Sequence, residues 1–170
     1  MSTTPSPADA SKSSASLKEE FTRLMPPFLT TLSEGAEMGY KRVREESCLA
    51  HEVDNPQVNT SWLGWAIGEA SNTAAANQSL DDLEKQLVDD GWEKENEIEK
   101  PDTDVGGVRK LFFRKSDLGI TTELHRSSGQ ETLDIKLTSR CVDQPVEHRM
   151  QRSELDPGYG KSSQYYDDWK

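Results

Sequence analysis

The stretch LGITTELHRSSGQETLDIKLTSRC, residues 118–141, decides the fold class of this 170-residue chain. Each half alternates apolar and polar residues, which is typical of a β-strand with one buried face. Ser-Ser-Gly at 127–129 lies between the halves and favours a tight hairpin turn. The stretch therefore predicts two antiparallel strands that face one core. The predicted core positions are Leu118, Ile120, Thr122, Leu124, Leu133, Ile135 and Leu137.

The segments before this hairpin predict two more strands and a helix. WEKENEIE (92–99) and VRKLFFRK (108–115) are extended, and short links favour an antiparallel meander of four strands. SLDDLEKQLVDDGW (79–92) has leucines at helical spacing. Ser79 and Asp82 are placed to cap its start, and Gly91 fits the left-handed position after its end.

The first third of the chain predicts a helix and two strands. A capping box at Ser16–Glu19 begins a helical apolar stripe, and Pro26 and Pro27 predict a kink or a second helix. Residues 36–50 and 60–69 are extended. The order is helix, two strands, helix, four strands. This order predicts an α+β fold with helices packed on one face of a mainly antiparallel sheet.

Apolar residues are scarce at both ends of the chain. Residues 1–16 contain no Leu, Ile, Val or aromatic residue. Apolar residues become sparse again from Asp143 onward. Such segments bury too little to offset the entropy of ordering. We therefore predict a disordered Ser/Thr/Pro-rich leader or tether at 1–16, a single α+β domain at 17–142, and a polar, largely flexible tail at 143–170.

Composition narrows the classes of function. The formal net charge of -11 argues against a nucleic-acid partner, because binding a phosphate backbone requires a cationic surface. No apolar run approaches the length of a membrane span, and Met1 is not followed by a signal-peptide pattern. Motifs of hydrolases, metalloproteases and nucleotide-binding proteins are missing, so we expect no catalytic residue, no cofactor and no metal site.

The acidic segment before the second half of the meander offers one candidate surface. In a strand over 92–99, Glu93, Glu95, Glu97 and Glu99 would line one solvated face, with Trp92 and Ile98 turned inward. Like charges along an edge strand favour solubility and deter pairing with other chains. The alternative is a partner surface that steers a basic protein or a cationic surface toward the chain.

Cys48 and Cys141 are the only cysteines, and they delimit the predicted core. Cys141 follows the alternation of the last strand and would share its inward face. We predict a disulfide between them. The alternatives are two buried reduced thiols, a metal site that adds His51 and His148, and a nucleophilic Cys48 with His51 or His125 as base.

Four features together resemble the mature part of small actinobacterial cell-envelope lipoproteins of uncharacterised function. They are the Ser/Thr/Pro/Ala leader, the early Cys48, the LxxLxxxLxxxGW helix end at 80–92, and the closing LxIxLTSxC strand at 133–141. The resemblance implies a tether, an α+β domain and a disulfide, and it implies no activity. The lipid-bearing cysteine of such proteins does not occur here, so a lipid anchor would lie upstream of Met1.

These observations lead to two hypotheses about function. The first is a non-enzymatic binding domain, exported or tethered at the cell surface, whose partner is a protein or a cell-wall component. Its location would be extracellular or in the cell envelope. The alternative is a cytoplasmic acidic interaction protein, of the immunity or inhibitor type, in which both cysteines stay reduced. Neither hypothesis names the ligand.

Overall fold

The computed structural model describes residues 13–50, 54–100, 106–127 and 129–168. Most of the predicted leader, residues 1–12, and the last two residues of the predicted tail lie outside these ranges. The fold is the predicted α+β class, with a short seventh strand added after the meander. The elements are α1 (Ser14–Leu32), β1 (Ala36–Ser47), a 3-10 turn (Pro56–Val58), β2 (Asn59–Ala70), α2 (Thr73–Asp89), β3 (Glu93–Glu99), β4 (Gly106–Lys115), β5 (Leu118–Ser127), β6 (Gln130–Thr138) and β7 (Val142–Asp143).

All strands belong to one antiparallel sheet, in the order β1-β2-β6-β5-β4-β3, with β7 paired to β2. Strands β3 to β6 form the predicted meander. Ser127 pairs with Gln130, and Gly129 has a φ of 79°, so β5 and β6 are joined as the predicted hairpin, although residue 128 of its turn lies outside the described residues. Strand β6 returns beside β2, which places the β1–β2 pair and the meander in a single sheet.

Both helices cover the same face of the sheet, and the core lies between them. The inward positions predicted from the hairpin are all buried, with exposed fractions of 0–4 %. Strand β2 contributes Trp62 and then small residues to this face. Gly64 lies under α1, where an added Cβ would be 2.8 Å from the Sδ atom of Met25. A glycine here lets the helix approach the sheet closely.

Helix α1 is continuous through Pro26 and Pro27, so the predicted second helix is wrong, and the alternative of a kink stays a prediction. Both prolines are exposed, whereas Met25 and Phe28 beside them are buried. Burial of each large apolar side chain stabilises the fold by about 1.5–3 kcal/mol. Six buried side chains along α1 therefore offset the cost of about 3 kcal/mol for each proline. The residue that caps the helix is Ser13, whose Oγ accepts from the Ser16 N–H, and not Ser16 itself.

Helix α2 begins earlier than predicted and ends as predicted. Asn72 caps its start by accepting a hydrogen bond from the Ala75 N–H at 2.8 Å, whereas Ser79 lies buried inside the helix. At the other end Gly91 has a φ of 89°, and the Trp92 N–H donates to the Leu87 carbonyl at 2.9 Å. This is the Schellman arrangement that the sequence predicts.

Residues after β7 pack along the edge of β1. The Glu45 N–H donates to the Gln151 carbonyl, and the Ser153 N–H donates to the Val43 carbonyl, both at 2.9 Å. The Asp156 carboxylate accepts from the Val43 N–H at 2.8 Å. These contacts hold the segment against β1, whereas the sequence predicts a largely flexible tail at 143–170. The segment binds through backbone pairing and buried polar side chains, which an apolar-residue count does not detect.

A buried ion pair holds the end of this segment. Arg152 Nε donates to both carboxylate oxygens of Asp168, at 2.9 and 3.0 Å, and the two side chains are 5 % and 2 % exposed. The Arg152 guanidinium also lies over the Tyr166 ring, 4.6 Å from its centroid. Burial alone would raise the pKa of Asp168, but hydrogen bonds from Arg152 and from the Gly160 backbone lower it below the ordinary 3.8.

We expect Asp168→Asn to lower the free energy of unfolding by about 3 kcal/mol at pH 7, because it leaves the Arg152 charge buried without a partner. Because the pKa is lowered by folding, this contribution is complete above the unfolded-state pKa and disappears as pH falls through the folded-state value. Urea unfolding of both proteins from pH 7 to pH 2 measures the difference.

Asp167→Asn is the matched control, since Asp167 is an exposed neighbour with the same charge. It should change the free energy of unfolding by less than about 0.5 kcal/mol. Equal effects of the two substitutions, or an Asp168→Asn effect that does not shrink in acid, would contradict a buried ion pair at this position.

Candidate functional site

Cys48 and Cys141 form a disulfide, with Cα atoms 6.1 Å apart. Cys48 directly follows β1, and its N–H donates to the Asn59 carbonyl at 2.8 Å. Cys141 lies beyond the end of β6 and is exposed, so the expectation that it shares the inward face of that strand is wrong. The chain leaves the β6 ladder after Thr138, and the alternation of the strand stops there. With both sulfurs joined, neither is free as a thiolate ligand or nucleophile.

The four glutamates of β3 do not line one face. A β-bulge between Lys94 and Asn96 inserts an extra residue, which reverses the alternation of the strand. Glu93 is opposite the exposed Arg114, whereas Glu97 is opposite the buried Leu111. Glu93 therefore lies on the uncovered face and Glu97 on the helix-covered face.

The bulge also changes the faces on which Ile98 and Glu99 of β3 lie. Ile98 is 41 % exposed and pairs with Lys110, so it does not turn inward as expected. Glu99 is opposite Arg109 and shares the side of Glu97. Trp92, just before the strand, is 4 % exposed and inward, as predicted.

Basic side chains neutralise part of this acidic strand. Glu95 accepts from Arg114 at 2.8 Å. Glu97 accepts from Lys94 at 2.7 Å and from Arg109 at 2.9 Å, and these hydrogen bonds lower the pKa of Glu97. The strand is therefore a network of ion pairs and not a row of mutually repelling charges. A role for Glu93, Glu95, Glu97 and Glu99 in binding a partner stays a prediction.

A fully buried carboxylate, that of Glu45, lies near the other edge of the sheet. Its Oε1 atom accepts from Thr60 Oγ1 at 2.6 Å and lies 2.6 Å from His148 Nε2. Its Oε2 atom accepts from Ser14 Oγ at 2.6 Å and from the Gln151 N–H at 3.0 Å. One carboxylate therefore joins α1, β1, β2 and the C-terminal segment.

The His148 ring lies between this carboxylate and a surface groove of about 300 Å³. Its side chain is 14 % exposed, and its Nδ1 atom makes no hydrogen bond to any described residue. A buried carboxylate that binds one ring nitrogen fixes the orientation of the ring and leaves the other nitrogen available. The groove therefore contains an oriented imidazole.

The face of the sheet opposite the helices carries a second candidate surface. Leu63, Trp65 and Ile67 of β2 point to this face, because the alternate residues of β2 are buried under the helices. Arg42 of β1 and Lys136 of β6 are the register partners of Trp65. Their charged groups lie 5.8 and 5.1 Å from the centroid of the indole ring. The result is an apolar strip flanked by cations.

Charge is unevenly distributed across the uncovered face. Arg42 and Arg44 both donate to Glu46, at 3.0 and 3.1 Å, so two cations share one carboxylate. Lys136 is exposed and forms no ion pair with any described residue. The region beside Leu63 and Trp65 therefore has an excess of positive charge, although the whole chain is strongly acidic and Asp134 lies beside Ile67.

Toward β5 the uncovered face becomes acidic. Asp134 is opposite Glu123 in the β5–β6 register. Burial raises the pKa of Asp134, and the Glu123 charge raises it further against the lowering effect of Lys136. Neighbouring side chains therefore cover part of the Asp134 carboxyl, although no helix packs on this face.

The two side chains at the centre of the buried cluster, Glu45 and His148, are not predicted from the sequence. Glu45 is two residues after Val43 on the same strand face, so a correct inward assignment of Val43 would have placed Glu45 inside. A β-bulge at Lys41 separates this part of β1 from its first half and obscures the pattern. The sequence suggests His148 only as a metal ligand, because nothing in its local sequence indicates the distant carboxylate.

Comparison of the chain with protein-family models, with curated proteins and with solved structures gives no match. Neither α1 nor α2, the two α-helices in the described part of the chain, has the length and apolar character needed to cross a membrane. Within the described ranges, no three His, Cys, Asp or Glu side chains are grouped so that they could hold a metal ion.

We expect Glu45→Gln to lower the free energy of unfolding by about 2–4 kcal/mol. The amide keeps the shape of the side chain, but an NH2 group replaces one of the two carboxylate oxygens. The hydrogen-bond donors that face this oxygen then lack an acceptor. Glu46→Gln is the matched control, since Glu46 is partly exposed and forms surface ion pairs worth less than about 1 kcal/mol. Denaturant unfolding of both variants tests this, and equal losses would contradict a structural role for the buried carboxylate.

Proposed function

We propose that this protein is a non-enzymatic binding domain, exported or tethered at the cell surface, that docks an acidic protein surface on its uncovered sheet face. The observation that carries the proposal is the apolar strip Leu63, Trp65 and Ile67, flanked by Arg42 and Lys136. The resemblance to cell-envelope lipoproteins is consistent with this location.

The disulfide supports the proposed compartment. It closes a loop with a sequence separation of 93 residues. In the chain-entropy model such a cross-link contributes about 4–5 kcal/mol, which is a large part of the stability of a small domain. Disulfides persist in oxidising compartments and are rare in the cytosol. A domain that depends on this bond is therefore suited to an exported location.

The composition of the uncovered face supports a protein partner. Trp and Arg are the residues that most often dominate binding energy at protein interfaces. Long cationic side chains border the strip at Leu63 and Trp65, whereas Ile67 lies between Gly39 and Asp134. An apolar contact with acidic groups near Leu63 and Trp65 would therefore be complementary to the strip. Such a partner would approach from the side opposite to both helices.

Charge explains why the partner should be acidic at the contact. The net charge of -11 would repel an acidic protein at long range, but this repulsion is screened beyond about 8 Å at physiological ionic strength. At contact distance the cations beside Trp65 determine the interaction. We therefore expect the affinity for the acidic partner to be higher at moderate salt than at very low salt. Moderate salt screens the long-range repulsion between the two net charges more than the attraction at contact distance.

We expect Lys136→Glu to weaken binding of the envelope protein captured by the wild-type chain by about tenfold or more. Lys85→Glu is the matched control, because Lys85 is an exposed residue of α2, on the helix-covered side, and the charge change is the same. Binding of the purified partner is measured by calorimetry for each variant, with thermal unfolding as the check on folding. Trp65→Ala should also weaken binding.

Equal affinities of the Lys136→Glu and Lys85→Glu variants would contradict docking on the uncovered face. Capture of a cell-wall glycan in place of a protein would contradict the choice of partner. Alkylation of both cysteines in intact source cells without a reductant would contradict the exported location and favour the cytoplasmic alternative.

A further inference from the structure

The surface groove beside His148 carries an inference that is independent of the uncovered sheet face. Its floor is the segment after β7, which the structure fixes at several points. Gln144 N–H donates to the Val58 carbonyl at 2.8 Å, and Gln57 Nε2 donates to the Val146 carbonyl at 2.7 Å. The disulfide at Cys141 holds the start of the segment. The groove is therefore formed before any ligand arrives.

Charges of both signs line this groove without pairing with each other. Asp54 and Glu147 provide two carboxylates, and neither forms an ion pair with any described residue. Arg149 provides a guanidinium, which donates to the Tyr166 carbonyl at 2.6 Å and to no other described residue. His148 adds the oriented imidazole with its unbonded Nδ1 atom. Opposite charges that share a groove and do not meet are complementary to a ligand that carries both.

Two exposed apolar side chains complete the groove. Val146 is 60 % exposed and Tyr165 is 38 % exposed, and both belong to its lining. Large apolar side chains left in water beside polar groups are typical of ligand-binding sites. The volume of about 300 Å³ lies at the small end of such sites, so the ligand would be small and would not be a folded domain.

We propose that this groove binds a short zwitterionic peptide of two or three residues. The peptide carboxylate would accept from Arg149, and its ammonium group would donate to Asp54, to Glu147 and to the Nδ1 atom of His148, whose Nε2–H faces the Glu45 carboxylate. An apolar side chain of the peptide would pack on Val146 and Tyr165. Glu45 acts here as a positioning residue, because it is buried below the groove and would reach the peptide only through the His148 ring.

The test is a calorimetric and NMR titration of the full chain with L-alanyl-L-phenylalanine. Its N-acetyl and C-terminal amide derivatives are the matched probes, since each removes one charge. The free dipeptide should bind with a Kd below about 1 mM, and each derivative should bind about tenfold more weakly. Amide shifts should be confined to the groove segments, residues 54–58, 144–149 and 164–166.

Two variants test which side chain of the groove binds each charged end of the peptide. Asp54→Asn should weaken the free dipeptide about tenfold and leave the N-acetyl derivative unchanged. Arg149→Gln should weaken the free dipeptide and leave the amide derivative unchanged. Both residues are on the surface, so folding should be retained, and circular dichroism checks this. Arg140→Gln, an exposed arginine paired with Asp117 outside the groove, is the control and should bind like the wild type.

Three results would overturn the proposal. The first is no binding of the dipeptide at millimolar concentration. The second is equal binding of the free and blocked peptides. The third is a loss of affinity with Arg140→Gln as large as with Arg149→Gln. Lys136→Glu should leave peptide binding unchanged, so the outcome here is separate from that for the uncovered sheet face.

Discussion

The buried carboxylate of Glu45 is the constraint on which the arrangement of both chain ends depends. A carboxylate removed from water destabilises a fold unless hydrogen bonds satisfy its oxygens. Ser14 at the start of α1 and Thr60 on β2 donate to it, and His148 and the Gln151 backbone bind it from the C-terminal segment. Each partner must be in place for the others to be stable, so the cluster couples segments that are far apart in sequence.

The same coupling explains how the sheet edge at β1 is protected. An open edge strand is a template for pairing with other chains. Here backbone pairing of Gln151 and Ser153 with β1 covers part of that edge, and the Cys48–Cys141 disulfide anchors the covering segment at its start. At the opposite edge, β3 is protected differently, by charges and by a β-bulge. The β1 edge is partly covered by the C-terminal segment, and the charges and the bulge of β3 disfavour pairing of other strands with the opposite edge.

These constraints also shape the two candidate binding surfaces. The groove at His148 lies largely on the fixed C-terminal segment, so its backbone and the His148 ring keep their positions in the absence of a ligand. The strip at Trp65 lies on β2, an interior strand that is paired on both sides, with β1 and with β6. Sites on rigid elements lose less entropy on binding than sites on mobile loops. The proposed functions of both surfaces depend on the same closed fold.

Alternation and helix-end signals in the sequence predict the α+β class, the meander and the Schellman end at Gly91, because these features depend on local chemistry. Features that depend on distant contacts are not predictable in this way. The continuous helix at Pro26 requires knowledge of the core that it covers. The bulge after Lys94 and the covering of β1 by residues near Gln151 depend on backbone hydrogen bonds, which residue composition does not encode. The disulfide was predictable as a pairing, but its exposed position was not.

Native-state hydrogen exchange tests the central claim most directly, namely that the segment after β7 folds as one unit with the sheet. The Gln151 and Ser153 amides donate to the Glu45 carboxylate and to the Val43 carbonyl. If the segment opens only with the whole domain, their protection should lie within about tenfold of that of the central strands β2 and β6. Exchange of both amides near the rate of an unstructured peptide, while β2 and β6 stay protected, would contradict the account.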